Sequence, residues 1–526
     1  MTTKFRLSII SLVLLMCSEL LSATPFLREA NFYRFFDGKD YYTKADNTKV
    51  DFDFKMSTMS KDGKVVAFCG DAYFDGLQHR TLFYHNFEAT SAPIEVPLLE
   101  RTGSFNTNAG MVSNTDGSRI FFFASDTVNG FQELYMLNAL TGSLTVIFHT
   151  SSTIENPQDI ATDATGGYLY FNEGDNGDSG HLWRVAASAG ATPAIYIDRT
   201  TLAHPSGGYV RFIDQMDLSD DGETLAFFVE GRVPTDGSPT VRYDKELYVK
   251  TSSGIRHITN DDENAKDDVV ISGDGNTIVY THDGKWTVTT PGAVVGSQTH
   301  IENGYHSCGN RPAITTDGRT FLGCSNPDSV SSAQSYLIKS DGSGRLMIEP
   351  DQLQFLTTFE GFHLSGDGSR VLFKNRSYNY PDEWYNLTVG VFDSSLWTTK
   401  VPSITAVNYP ADMFTKLNNS ERFDISISVS DPQGEITVDN VDKVVLFPSG
   451  YEDKSGAGPI SISPWINPSG SIPNLYETEG YRGLGWPSND PVTVRFSVED
   501  EDGHVGYVDT VIRRSFNTPI IMYLLN

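Results

Sequence analysis

The chain has 526 residues, with 67 Asp or Glu against 39 Lys or Arg, for a net charge of −28. That balance excludes nucleic acid as a partner, because phosphate recognition rests on clustered Lys and Arg; it suits solubility through self-repulsion, or attraction of cations and basic partners. At 39% hydrophobic and 12% aromatic residues the chain can bury large cores, which excludes wholesale disorder.

Lys4 and Arg6 precede an apolar run from Leu7 to Cys17, and small residues follow up to Ala23. This pattern predicts a secretory signal over residues 1–23, too short and wrongly flanked to anchor in a membrane. Met16 stands before Cys17 where a lipoprotein has a small residue. No other stretch approaches the ~18 apolar residues of a spanning helix, so a periplasmic or secreted protein is expected. Export permits disulfides among the remaining Cys69, Cys308 and Cys324. Cys308 and Cys324 stand at opposite ends of a predicted hairpin, and both a bond between them and two free thiols remain open. Cys69 follows Asp62 by seven residues, as Cys324 follows Asp317; this shared slot predicts a buried, inert Cys69.

From residue 51 to about 401 one phrase recurs: "MSKDGKVVAF", "LSDDGETLAF", "ISGDGNTIVY", "LSGDGSRVLF". Its Asp falls at Asp62, Asp116, Asp221, Asp274, Asp317 and Asp367, and a degenerate copy places Thr165 and Gly166 there. Successive spacings are 54, 49, 56, 53, 43 and 50 residues. Repeats of this period mean solenoids, arrays or propellers. Asp-Gly suits a tight turn, since Gly reaches positive φ freely and Asp bonds nearby amides. Each turn is followed by an apolar run such as "VVAFC" or "IFFF", then an LY-like strand ("QELYML", "KELYVK") and a fourth strand after a Gly-rich turn. Continuous rather than alternating apolar runs mark strands buried on both faces. Four short strands per unit, each unit sandwiched between two others, predict an all-β, seven-bladed β-propeller over residues 24–400. Either "NFYRFFDGKDYY" (residues 31–42) or "LWTTKV" (396–401) is available to complete the last blade.

The stretch "HITNDDENAKDDVVISGDGNTIVY", His257 to Tyr280, resembles the repeat of TolB-like propellers of bacterial envelopes, in which an acidic loop leads into Ser-Pro-Asp-Gly and an apolar strand. Similar blades occur in prolyl-oligopeptidase-type enzymes and oligogalacturonate lyases. This chain has no Pro in the turn and uses Lys61, Asp220, Gly273 and Gly366 instead. The resemblance covers about two thirds of the chain and speaks to fold far more than to function.

After residue 400 the repeat stops. "FDISISVSDPQGEI", "DKVVLFPSG", "PVTVRFSVEDEDGHVG" and "YVDTVIRR" predict an immunoglobulin-like β-sandwich over residues 401–526. Its acidic turns resemble those of bacterial Ig-like and cadherin-like modules that hold calcium. Asp431, Glu499, Asp500 and Asp502 are the candidate Ca²⁺ ligands, with ordinary Asp-Gly turns as the alternative reading.

In a propeller, turns between first and second strands share one face with those between third and fourth. The second-to-third loops and the blade connections share the other. That second face is expected to carry long, irregular, acidic and aromatic loops: "GDAYFDGLQH", "NEGDNGDSGH", "EGRVPTDGSPTVRYDK" and "KNRSYNYPDEWYN". The candidate binding residues are Tyr378, Tyr380, Trp384 and Tyr385, with Asp214, Asp267, Asp268, Asn310, Arg311 and Glu360 at the channel mouth. His363 and Asp217 occupy corresponding slots of two first strands, readable as an acid–base pair or as structural hydrogen-bonding groups. No G-x-S-x-G, H-E-x-x-H or Walker-type sequence is present. The expectation is therefore a non-catalytic binding or scaffold protein for an envelope or extracellular protein, peptide or glycan. The rival reading is a secreted polysaccharide lyase or hydrolase acting in the channel with a divalent metal.

Overall fold

Each Asp-Gly turn folds by one local chemistry. In blade one the Gly63 amide donates to the Ser60 carbonyl (2.8 Å), and the Ser60 hydroxyl donates to Asp62 Oδ1 (2.6 Å) while accepting from the Val65 amide (2.9 Å). Ser219, Ser272, Thr315 and Ser365 repeat the arrangement, Asn114 takes the place in blade two, and Asp163 does so in the degenerate copy. The turn glycines sit at φ between 63° and 76°, from Gly166 to Gly368, a region that side chains disfavour. Bonds from neighbouring amides and hydroxyls hold the carboxyls of Asp116, Asp274 and Asp367 below the usual carboxylate range, against the opposing effect of partial burial.

The computed structural model describes residues 31–392 apart from short stretches (38–41, 44–48, 51, 75–76, 91, 129, 151–153, 155, 174–179, 235–240, 262–265, 304–311, 326–333, 343, 349–355 and 380–381), then residue 401 and eight strands between 403 and 512; part of the strands are described by backbone alone. The expected signal segment lies outside these residues, as does Cys308. Among the described residues no helix is long and apolar enough to cross a membrane.

Seven antiparallel sheets follow one another along the chain, each built around four strands in sequential order. Blade four is typical: Tyr209–Leu218, Leu225–Pro234, Val241–Thr251 and Gly254–His257. Blade seven takes its fourth strand from the other end of the chain. Asn31–Asp37 pairs with Asp382–Val391, from Asn31↔Val391 to Asp37↔Asn386. The N-terminal candidate therefore closes the ring. Its aromatic side chains explain why: Phe36 packs on Phe68, Phe52 and Phe83 of blade one (centroids 4.7, 5.2 and 5.5 Å), and Phe35 stacks on His85.

The core lies in the seams between blades. Along the second strand of blade two, Ile120, Phe122 and Ala124 pack toward blade one while Phe121 and Phe123 pack toward blade three, all 0% exposed. This division is the physical reason for the unbroken apolar runs, and each such side chain contributes about 1.5–3 kcal/mol. Cys69 lies in the first of these seams, fully buried, with its thiol pushed well up by burial.

The seven turns also bond to one another. Gly366 donates to Lys61, Asp62 to Thr115, Thr115 to Ala164, Ala164 to Asp220, Asp220 to Gly273, Asp274 to Thr316, and Thr316 to Gly366, all amide to carbonyl at 2.6–3.1 Å. The circuit is closed. Five of its donors are amides of the residue just before the turn's third position, the place where the resembling repeat carries Pro. A proline has no N–H to give, so the ring excludes Pro at those five positions, though not at Lys61 or Gly273.

Beyond residue 401, Ser403–Asn408, Arg422–Ser430, Leu475–Arg482 and Ile466–Pro468 form one antiparallel sheet in that order. The final hairpin, Val492–Glu499 with Val505–Ile512, does not stand apart as the sequence suggests: its second strand joins the outer edge of blade six at Gly344↔Gly506 and Arg345↔Val505. An exposed sheet edge offers unpaired amides and carbonyls, and this hairpin occupies them.

Two outcomes test this account. Phe36→Ala should lower stability by ~2 kcal/mol or more, measured by denaturant unfolding; an unchanged midpoint would show that the N-terminal strand does not weld the ring. Thr316→Pro should cost about 1–3 kcal/mol by leaving the Gly366 carbonyl without its donor, whereas Lys61→Pro, at a position whose amide is outside the circuit, should cost clearly less.

Candidate functional site on the open face

The two faces differ in how their strand ends are joined. On the Asp-Gly face the turns satisfy one another, and Lys61 Nζ reaches across from blade one to Asp220 of blade four. On the opposite face three hairpins extend well past their neighbours: Val65–Phe74 with Leu77–Asn86, Leu225–Pro234 with Val241–Thr251, and Arg370–Asn379 with Asp382–Val391. Most of the stretches expected as irregular loops are thus paired strand. The ladder of "GDAYFDGLQH" runs to Phe74↔Leu77 and that of "KNRSYNYPDEWYN" to Asn379↔Asp382. Alternating polar and aromatic residues around a two-residue tip satisfy the backbone better as a hairpin than as a loop.

At the seam of blades four and five this face concentrates charge. The first strand of blade four is bulged between Asp214 and Met216, and that of blade five between Asp267 and Val270. These bulges leave Asp214 and Asp267 on either side of Lys245, whose Nζ lies 2.9 Å from Asp214 and 2.6 Å from Asp267. Burial works against the ammonium, but Asp214 and Asp267 outweigh it and hold Lys245 above its ordinary pKa. Asp268, at φ 63°, gives its amide to the Gln215 side chain; a non-glycine residue there carries local strain. Behind this pair Lys266 is fully buried between Asp261 and Glu246, the latter 3.5 Å away. Glu246 also accepts from the Thr259 hydroxyl and the Asp261 amide (3.0 Å). Its carboxyl is pushed up to about 7 by burial, which Lys266 and the Thr259 bond only partly oppose. Farther out, Arg211 pairs with Glu230 at 2.7 Å and lies against the rings of Tyr243 and Phe212.

Of the residues expected from sequence, Asp214 and Asp267 are brought together, with Asp268 adjacent. Glu360 lies opposite Lys374 in blade seven, and Tyr378, Trp384 and Tyr385 lie opposite Glu383, Ser377 and Arg376 near the tip of its tall hairpin. Tyr380, Asn310 and Arg311 lie outside the described residues, as do Asp431, Asp500 and Asp502; Glu499 pairs with Val505 in the backbone ladder. His363 and Asp217 do not meet. His363 bonds the Ser57 carbonyl of blade one (3.0 Å), with its pKa lowered to about 4 by burial, and Asp217 accepts from the Ile271 amide of blade five (2.9 Å). Asp159, two residues earlier on the first strand of blade three, likewise accepts from the Met216 amide of blade four (2.7 Å).

Sequence reading missed Lys245, Glu246 and Lys266. A signal was present: "DKE" puts three charges in a row at the head of a third strand, and Lys266 is the single basic residue within "NDDENAKDD".

No protein-family model matches the chain, and no curated protein matches it. Among solved structures it is similar to an oligogalacturonate lyase from Vibrio parahaemolyticus (14% identity, 70% of this chain and 98% of that one, TM-score 0.43). It is also similar to the β-propeller domain of the Trilobed protease from Pyrococcus furiosus (12%, 65% and 96%, 0.42) and to TolB from Acinetobacter baumannii (15%, 52% and 60%, 0.33). The seven-sheet topology itself defines the protein as a seven-bladed β-propeller.

Removing one partner of a buried ion pair leaves an uncompensated charge. Lys266→Met should therefore cost about 3–5 kcal/mol in denaturant unfolding, and adding Glu246→Gln should recover part of that loss. Strict additivity of the two changes would show that the groups do not interact.

Proposed function

We propose that the chain is an exported, non-catalytic binding or scaffold protein of TolB-like character, which takes a protein, peptide or glycan on the open face of its propeller, with an immunoglobulin-like module over residues 401–526. The observation that carries this reading is the contrast between the faces. One has its turns bonded into a closed circuit; the other raises tall hairpins from blades one, four and seven and carries the blade four–five seam, where Lys245 lies between Asp214 and Asp267. The arrangement of His363 and Asp217, each tied to the backbone of the next blade, favours binding over acid–base chemistry in the channel. Aromatic residues near the tip of the blade-seven hairpin are the composition of an interface hot spot.

The test is to screen the purified protein against glycan and peptide arrays and to identify envelope proteins it captures, with polysaccharide breakdown assayed in parallel. For whatever ligand emerges, Tyr380→Ala and Trp384→Ala should each weaken binding about thirtyfold, and Lys245→Met should weaken it too. Replacing Ser369 on the Asp-Gly face should leave binding unchanged. Normal binding by all three open-face variants, or accumulation of cleaved polysaccharide, would defeat the reading.

A further inference from the structure

Blade two ends on the open face in a different cluster. Asp126 closes its second strand (Arg119–Asp126), Glu133 stands near the start of its third (Gln132–Asn138), and His149 closes its outer strand (Ser143–His149). Glu133 and His149 are directly opposite in the ladder. One ligating atom from each of the three lies within 4.8 Å of the other two. Asp126 and Glu133 are 1% and 0% exposed, while the His149 side chain is 48% exposed.

Hydrogen bonds engage one oxygen of the buried Glu133 carboxylate, and ion pairs the other. Tyr135 donates to Glu133 Oε2 and in turn accepts from the Thr102 hydroxyl (3.3 Å), a chain that fixes the carboxylate's orientation. Glu133 Oε1 has no hydrogen-bond partner. His149 Nδ1 lies 2.6 Å from it and Arg101 Nη2 3.1 Å, close enough for charge attraction but without hydrogen-bonding geometry. A buried carboxylate oxygen facing an imidazole nitrogen, with a second buried carboxylate beside them, can converge on a shared cation once the Nδ1–Oε1 pair opens to the roughly 3.4 Å that ~2.1 Å bonds to a tetrahedral ion require. Outer groups that orient a ligand, as Tyr135 and Thr102 orient Glu133, are usual around metal sites.

We propose that Asp126, Glu133 and His149 form a site for a divalent transition-metal ion of the zinc type. Two carboxylate oxygens and one imidazole nitrogen on three rigid strands suit such an ion, leaving a coordination position open to solvent beside His149. Calcium, which wants six to eight oxygens, fits poorly. Arg101, with its side chain 37% exposed, is the competing cation, and a metal ion displaces its guanidinium from Glu133.

The test is calorimetric titration of chelator-treated full-length protein with Zn²⁺ alone, with melting followed in parallel. One equivalent should bind and raise the melting temperature. His149→Ala, at a half-exposed position that folding tolerates, and Glu133→Gln should each weaken binding at least tenfold; Tyr135→Phe should weaken it about 10–100-fold. Arg101→Gln should tighten binding, the opposite of what a purely structural Arg–Glu–His cluster predicts. Absence of a one-equivalent event in the wild type, or undiminished binding in His149→Ala, overturns the proposal.

Discussion

The circuit of amide-to-carbonyl bonds joining the seven Asp-Gly turns is the constraint on which the rest of this structure depends. A single turn-to-turn bond is worth only about 0.5–1.5 kcal/mol. Seven in a closed ring do more than their sum, because each fixes the height and tilt of one blade against the next and the last must meet the first. The turn chemistry serves that purpose. Ser or Thr holds the Asp carboxylate, the Asp carboxylate holds the following amide, and glycine supplies the left-handed φ, so the preceding residue is left with its amide pointing at the neighbour. Where blade one does not give the Lys61 amide, the Asp62 amide substitutes, and Asp274 does the same in blade five.

That ring divides the molecule functionally. With the turns bonded to one another and Lys61 bridging to Asp220, the turn backbone of the Asp-Gly face is committed to the ring. Buried charge pairs collect on the other face, where the hairpins of blades one, four and seven are long. The Lys245 and Lys266 clusters illustrate the cost of that arrangement. Burying charges is unfavourable unless they are paired and hydrogen-bonded, and here each ammonium meets two carboxylates. Such groups contribute specificity of shape and charge at the blade seam more than net stability.

Packing between blades supplies the stability that the ring organises. Alternate residues of each second strand enter alternate seams, so the middle of that strand is shut from water on both faces and the apolar runs are continuous. The seam between blades seven and one is the place where a propeller can open, and the aromatic pair Phe35 and Phe36 reinforces it with a strand from the far end of the chain.

The sequence by itself determined the architecture. Period, turn chemistry and unbroken apolar strands are local signals, and each local signal carries a sevenfold repetition that averages out degenerate copies such as Thr165-Gly166. It also predicted one height for Asp214 and Asp267, each seven residues before the turn Asp of its blade, and they meet at Lys245. What it left open needed two parts of the chain to be compared in space. The choice of Asn31–Asp37 over residues 396–401 as the closing strand depended on aromatic packing against blade one. The pairing of Lys245 with Asp267 and of Lys266 with Glu246 depended on how blades four and five meet, and the meeting of Asp126, Glu133 and His149 depended on ladder register across three strands. The absence of Pro from the turns is legible in the sequence, but at five of the seven its reason is tertiary: there the N–H that Pro lacks is one of the bonds of the ring.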